Sequence, residues 1–395
     1  MKKFNKNSIL FLFFVIAVIA GLSGGCITGF GSETGKLFSA LWKGNLHSFM
    51  EYKTNVDALS SESLTYHNFL LNVNGVKENL SGTQVIHKSD TTVVKAASGS
   101  LTIPAPKADV RESVDALKKL YDICLENDAK FLYFAAPTKQ LVEELPANVE
   151  NYAAENYQSF FAAMDTAGIP YVNYTQAVTT DSFYYTDHHW TIRTGLNATD
   201  ALCRELHSRY GFVYNPDHTN IDNYHVELYE NYFLGSYGKK VGTHFSSNGP
   251  DDFELITPKF RTKLTETRST RKQARTGSFE DTVLYMDNLE KGYYSCNPYA
   301  TYSGGDFRQQ IMKNELAPDG AKVLLIRDSY ACAVAPFLSL QTGELHVCDV
   351  RNYSYFEGEK INVEAYIQEI QPDYVIVLYT DVTSIEESCG RFDFF

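Results

Sequence analysis

The chain is 395 residues long, 44% hydrophobic and 21% charged, the balance of a globular protein with room for a substantial core and about two domains. Its net charge of −13 excludes general nucleic-acid binding, which needs a basic face to displace counterions from phosphate. Seven cysteines stand without zinc-site spacing, and Cys124, Cys203, Cys332 and Cys348 lie in apolar segments, as buried small hydrophobes do.

At the N-terminus Lys2, Lys3 and Lys6 precede ILFLFFVIAVIAGL, and no charge follows until Glu33. The 14 strongly apolar residues match a signal-peptide core, and their Gly/Ser tail extends them to the roughly 20 residues of a membrane span. Residues 1–32 are therefore expected to be a signal anchor or a cleaved signal peptide, with lipidation at Cys26 a third route. The positive flank stays inside in each case. The body is then expected outside a bacterial cell membrane, or secreted if cleaved. Residues 33–107 are polar and rich in Ser, Thr and Asn, the composition of a stalk with a small β element in which TQVIHK and TTVVKA are short strands.

A regular alternation begins at Asp109, which with Glu112 is placed to cap a helix. Val110, Val114, Leu117, Tyr121 and Cys124 form its inward stripe, and KFLYFAAP follows as a buried strand. Tyr157, Phe160, Phe161 and Met164 mark a helix closed near Gly168, IPYVNY a short strand, and Ala198, Ala201, Leu202 and Leu206 a helix ending at Gly211. The pattern lapses over 212–317, where Gly-rich turns (FLGSYGKKVG, YSGGDF) and a basic run at 259–275 appear. It resumes with KVLLI, a helix from Ala331, ELHVCDV, a helix over 363–370 and DYVIVLY. Two strand–helix blocks predict a three-layer α/β fold, a mainly parallel sheet with helices on both faces. Residues 108–395 would form this domain, with 212–317 inserted as a mixed subdomain or cap.

In open α/β sheets ligands bind beyond the carboxyl ends of the strands. Two segments are predicted there. One is YYTDHHWTIRTG, with Asp187, His188, His189 and Trp190 at a loop–helix junction; the other is VLLIRDSYACAV, a strand running into Asp328-Ser329. A serine at such a turn exposes its hydroxyl and sets backbone N–H groups where negative charge develops. Three readings of the first segment stand side by side: a metal site on Asp187, His188 and His189, a carboxylate–imidazole pair activating Ser329, and packing around Trp190. The plain reading of the second is an N-cap.

TDHHWT resembles the signature of the DHHW proteins, and D-x-H-W-T is shared with the alginate O-acetyltransferase proteins of the SGNH-hydrolase-like group. LLIRDSYACAVAPFLS, ELHVCDVRNY and PDYVIVLY are similar to their serine block and the strands after it, so the resemblance spans roughly residues 60–385. It implies an SGNH/flavodoxin-like sheet with a permuted Asp-His-Ser order, Ser329 as nucleophile, His189 as base and Asp187 as orienter. His188 occupies the variable position. Where such proteins carry Gly-Asp-Ser this chain has Arg327-Asp328-Ser329, and Asp306 stands in the loop expected to serve the oxyanion. The implied donors are the N–H groups of Gly304 or Gly305 and of Ser329 or Tyr330. Gly235 and Ser236 are expected at the cleft, and Arg351 to contact an anionic sugar or pair with an acid.

The expected function is serine-dependent O-acyl, specifically acetyl, transfer to a surface polysaccharide or wall polymer. The resemblance also implies a polytopic membrane acyltransferase as donor partner and no metal or organic cofactor. A carbohydrate esterase with the same triad, or a non-catalytic polymer-binding scaffold of an export complex, are the alternatives. The basic run at 259–275 reads as a solvated loop or as a guide for an anionic polymer.

Overall fold

β-branched and aromatic runs bounded by turn residues make the strands, and apolar stripes at helical spacing make the helices. The computed structural model describes residues 67–88, 91–269, 271–290, 292–356, 358–380, 382 and 389–395. The expected N-terminal anchor lies outside them; no described helix is long and apolar enough to cross a membrane. In chain order the elements are α1 (His67–Leu80), β1 (Val85–His87), β2 (Thr92–Lys95), β3 (Leu101–Thr102), α2 (Arg111–Glu126), β4 (Lys130–Ala135), α3 (Ala153–Ala167), β5 (Tyr171–Asn173) and α4 (Ile192–Tyr210). There follow β6 (Tyr224–Phe233), α5 (Ser236–Val241), β7 (Asp251–Pro258), β8 (Leu264–Arg268), β9 (Arg271–Gly277), α6 (Phe279–Val283) and β10 (Gln309–Asn314). Last come β11 (Lys322–Arg327), α7 (Ala335–Leu338), β12 (Glu344–Cys348), α8 (Val363–Ile370) and β13 (Tyr374–Tyr379). Two compact units divide the chain, residues 1–78 and 79–395; the first is represented by α1, and all other elements belong to the second.

An eight-stranded sheet in the order β5-β4-β13-β11-β12-β10-β8-β9 is the frame. Its first five strands run parallel, with β11 between β12 and β13, the place where a chain that leaves the sheet edge returns to its centre. Side chains alternate across each strand. Leu132, Phe134, Leu325, Ile376 and Leu378 face one helical layer, with α4 and α7, whereas Phe131, Tyr133, Leu324, Ile326 and Val377 face the other, with α2, α3 and α8. Three layers are the outcome, as the sequence pattern predicts.

The stretch over 212–317 departs from expectation in an informative way. Strands β8, β9 and β10 continue the main sheet antiparallel beyond β12, and β6 and β7 pair as a small sheet of their own. Most of the basic run forms the β8–β9 pair at the sheet edge. Three of its arginines are structural: Arg268 and Arg271 bind Glu266, which is fully buried, and Arg275 donates to the Leu284 carbonyl. The β9 edge strand is charged, and β8 buries Glu266 beside Leu264 on its inner face, so neither shows apolar alternation and the sequence hid them.

Two helix starts also differ. The α2 helix begins at Arg111 with no side-chain cap, because the Asp109 carboxylate instead accepts from the Arg111 N–H and guanidinium. After β11 the chain makes a 3-10 turn over Ser329–Ala333 before the short α7, in place of a helix from Ala331. The Gly168 and Gly211 stops hold, both with left-handed backbone.

That 3-10 turn packs on α4 at Gly195, where an added Cβ would lie 2.4 Å from the Ala333 carbonyl oxygen and 2.5 Å from its Cβ. The obstacle is backbone and cannot swing aside. Gly195→Ala is therefore expected to destabilise the fold by about 1–3 kcal/mol, read as a lowered urea midpoint. An unchanged midpoint would show that the turn and α4 are free to separate.

Candidate active site

Residues 184–189 form a loop pinned at both ends. Phe183 and Trp190 pair as an antiparallel bridge, and the Tyr184 N–H donates to the His189 carbonyl at 3.1 Å. Thr191 then caps α4, its hydroxyl accepting from the Thr194 N–H. The loop is thus held from below by a helix start and from behind by Trp190, which is fully buried.

Opposite it stands the 3-10 turn that leaves β11. Asp328 is its cap: one carboxylate oxygen accepts from the Tyr330 N–H at 3.1 Å, the other from the Thr380 N–H and hydroxyl at 2.9 and 2.8 Å. The N-cap reading therefore belongs to Asp328, which frees the Ser329 hydroxyl. The two segments are tied directly, because the Trp190 indole N–H donates to the Tyr330 carbonyl at 3.0 Å. The Tyr299 hydroxyl donates to the same oxygen at 2.8 Å, while its ring lies nearly parallel to His189 at 4.0 Å.

This arrangement brings Asp187, His189 and Ser329 into one hydrogen-bonded chain. Ser329 Oγ is 2.8 Å from His189 Nε2, and His189 Nδ1 is 2.6 Å from Asp187 Oδ1. A carboxylate only accepts, so Nδ1 carries the proton and Nε2 is left to accept from the serine. Burial pushes the Asp187 carboxyl up, but the adjoining His188 and His189 and its hydrogen bonds outweigh that and hold it well below the usual carboxylate range. It is an anion across the working pH range.

Gly235 and Ser236 serve this carboxylate rather than a ligand. The Ser236 N–H donates to Asp187 Oδ2 at 2.6 Å, and its hydroxyl meets His188 Nδ1 at 3.0 Å. The approach requires glycine before it: a Cβ at Gly235 would lie 2.3 Å from the Asp187 Cβ. Burial pushes the His188 imidazole down to about 4, so it is neutral near pH 7.

Lys139, in the turn after β4, was missed in the sequence. It is 1% exposed, and its ammonium donates to the carbonyls of Leu101 (2.9 Å), Tyr184, Tyr185 (3.2 Å) and Asp187 (2.6 Å). Burial pushes it down to about 8 against the pull of Asp251, Asp187 and Glu143. Asp251 completes the support: its carboxylate, raised to about 6 by burial, accepts from the N–H groups of Tyr185 and Thr186. A lysine after a strand-ending proline carries no signal of this kind in one dimension.

The remaining expected residues sort clearly. Arg327 and Arg351 are 1% and 3% exposed, so neither faces a ligand. Arg327 binds Asp306 and the Gly305 carbonyl, and Arg351 binds Asp349 through two nitrogens and Asp306 at 3.1 Å. The arginine where glycine was expected and the misfit aspartate are thus partners. Their charges hold Asp306 below its ordinary pKa despite its burial. Ser303, Gly304 and Gly305 all adopt left-handed backbone, φ 56°, 69° and 89°, which turns successive peptide groups sharply. The Tyr330 N–H is taken by Asp328, which removes it from the expected oxyanion donors. Ser329, first in its turn, has an N–H with no partner to find inside the turn.

Asp187, His188 and His189 offer ligand atoms within 4.8 Å of one another, so the metal reading merits its own test. Zinc holds N and O ligands at about 2.0–2.2 Å each, which sets neighbouring ligands apart by about 3.3 Å. The 2.6 Å between His189 Nδ1 and Asp187 Oδ1 is a hydrogen-bond distance, and the other His189 nitrogen meets Ser329. These residues do not fit an ion as they stand.

No family model and no curated protein matches the sequence. Solved structures do match. PatB1 from Bacillus cereus, solved with a sulfonyl adduct, is similar at a TM-score of 0.60 and 20% identity, over 79% of this chain and 99% of PatB1. A DHHW family protein from Eubacterium siraeum is similar at a TM-score of 0.53 and 17% identity, over 74% of this chain and 91% of that one. The fold is theirs. The likeness read from TDHHWT thus holds in three dimensions as a mixed α/β fold dominated by a parallel sheet. The O-acetyltransferase domain of Pseudomonas putida AlgJ lies further off, at a TM-score of 0.41 and 15% identity over 73% of this chain and 90% of that domain.

Two substitutions test the supports. Gly235→Ala is expected to push Asp187 off His189 and abolish the downfield imidazole N–H proton in NMR spectra, which a merely spacious turn would leave in place. Lys139→Met leaves several buried carbonyls unpaired and is expected to cost about 2–4 kcal/mol in denaturant unfolding.

Proposed function

We propose that this chain is an extracytoplasmic, serine-dependent O-acyl transferase that passes an acetyl group to a hydroxyl of a cell-surface polysaccharide or wall polymer. The observation that carries the reading is the 2.8 Å contact between Ser329 Oγ and His189 Nε2, with Asp187 oriented behind it. The apolar, lysine-flanked N-terminus supports an outward-facing, membrane-tethered body.

The chemistry is a double displacement. Ser329 Oγ attacks the acyl carbonyl of the donor while its proton passes to His189 Nε2, and Asp187 stabilises the imidazolium that forms. The tetrahedral oxyanion collapses, the donor's oxygen leaves with the proton from His189, and an acyl-Ser329 ester remains. A sugar hydroxyl then enters, gives its proton to His189 Nε2 and attacks that ester. As the tetrahedral intermediate collapses, the proton passes from His189 to the departing Ser329 Oγ, which restores the serine. The Ser329 N–H and the left-handed loop through Gly304 and Gly305 are assigned to the oxyanion. The donor is ascribed to a polytopic membrane acyltransferase, since the reaction lies outside the cell.

A cleft of about 550 Å³ is lined by His188 and Tyr330, the chain neighbours of His189 and Ser329, with Tyr237, Tyr157, Asn156 and Arg391, and is large enough to admit a sugar ring. Water entering in place of the sugar would make the same triad an esterase, so the acceptor decides between the two.

A sulfonyl fluoride is the direct test, and PatB1 has been solved with a sulfonyl adduct. One adduct by intact mass, absent from Ser329→Ala, is the expected result; no adduct on folded protein would falsify the reading. Ser329→Ala, His189→Ala and Asp187→Asn are expected to lower acetyl transfer from an activated ester to oligosaccharide by about 10³-fold or more with the fold intact. His188→Ala should have a mild effect, below about tenfold. Release of acetate alone, with no acetylated sugar in any acceptor mixture, would make the protein an esterase.

A further inference from the structure

The aromatic residues that follow Arg351 belong to no part of the triad, the core of the sheet or the cleft. Tyr355 is 63% exposed. One face of its ring is covered by Tyr353, with centroids 5.0 Å apart and planes at 12°, and Phe356 braces both rings edge-on at 5.3 and 5.2 Å. Two aromatic neighbours thus flank the ring, while most of the residue's surface is open to solvent.

Its foundation is the charge network of the candidate active site. Arg351 donates to the Tyr353 hydroxyl at 3.0 Å and lies 4.7 Å from the centre of that ring. The same guanidinium reaches Asp306 Oδ2 at 3.1 Å. Asp306 is bound in turn by Arg327, the residue two before Ser329. The platform is thus built on the groups that hold the glycine-rich loop against the turn that carries the nucleophile.

We propose that Tyr355, backed by Tyr353 and Phe356, is a binding subsite for a pyranose ring of the acceptor glycan. A sugar presents an apolar C–H face of about the area of one aromatic ring, and the electron-rich ring face attracts the weakly positive C–H groups. Stacking on a pre-ordered ring costs little side-chain entropy, which suits a long, repetitive, uncharged or weakly charged ligand. The guanidinium beneath is occupied by Asp349 and Asp306, so the subsite selects by shape and stacking rather than by charge. Its role as an acceptor subsite rests on the acyl-transfer reading; its capacity to bind sugar does not.

The experiment is affinity electrophoresis of the full chain, with mild non-ionic detergent in every lane, in gels containing soluble glucan, mannan, galactan or glycol chitin. At least one polymer is expected to retard the native protein and Ser329→Ala equally. Tyr355→Ala should weaken that retardation roughly tenfold, and Tyr355→Phe, which keeps the ring face, should retain it. Retardation by none of the polymers, or retardation that survives Tyr355→Ala, overturns the subsite. Loss in Tyr355→Phe as well would assign binding to the hydroxyl and overturn the stacking. Sulfonyl labelling of Ser329 should be equal in the native protein and Tyr355→Ala; labelling absent from both sinks the acyl-transfer reading while the retardation result stands by itself.

Discussion

The carbonyl oxygen of Tyr330 accepts two hydrogen bonds, from the Trp190 indole and the Tyr299 hydroxyl, and the site hangs on that one atom. Asp187 and His189 are two residues apart on one loop, but Ser329 lies 140 residues away from His189 on another. A hydrogen-bonded pair across such a distance persists only if the backbones carrying it cannot drift. Trp190 is adjacent to His189 and Tyr330 to Ser329, so fixing Trp190 on the Tyr330 carbonyl sets the base against the nucleophile. Gly195 allows the same approach one helical turn further on.

Around that junction, buried charge is used for placement. Lys139 gathers the carbonyls of the loop, Asp251 gathers its N–H groups, and between them the backbone of residues 184–187 has little freedom. On the other side Arg327 and Arg351 share Asp306 and Asp349. Each of these ions would be costly alone in a dry interior; each has partners that answer its charge and its hydrogen-bonding capacity. A group whose neighbours set its position this fully suits chemistry that needs geometry held to a fraction of an ångström.

The lesson of the sequence is uneven in a physical way. The parallel core was legible because KFLYFAAP, KVLLI and DYVIVLY are strands buried on both faces, which write themselves as apolar runs. The glycines at 168 and 211 were legible because a left-handed helix stop favours glycine, although α8 ends on Gln371 in the same conformation. Strands β8 and β9 were not, since the buried face of β8 alternates Leu264 with the charged Glu266 and β9 is a charged edge strand, so both spell a loop. Arg327 and Asp306 each looked like a defect when read alone; side by side they are an ion pair, and only folding puts them side by side.

The sequence by itself determined the elements and the chemical inventory: a parallel α/β core, an acid and an imidazole beside a helix start, and a serine beyond a strand. Local patterning is enough for these, because backbone preference and burial period act within a few residues. The tertiary structure alone decided what those groups do to one another. It put His189 Nε2 within 2.8 Å of Ser329, gave Asp187 its second partner in Ser236 and turned Lys139 inward. Distances of that kind are set by packing between segments far apart in the chain, which no spacing in one dimension records.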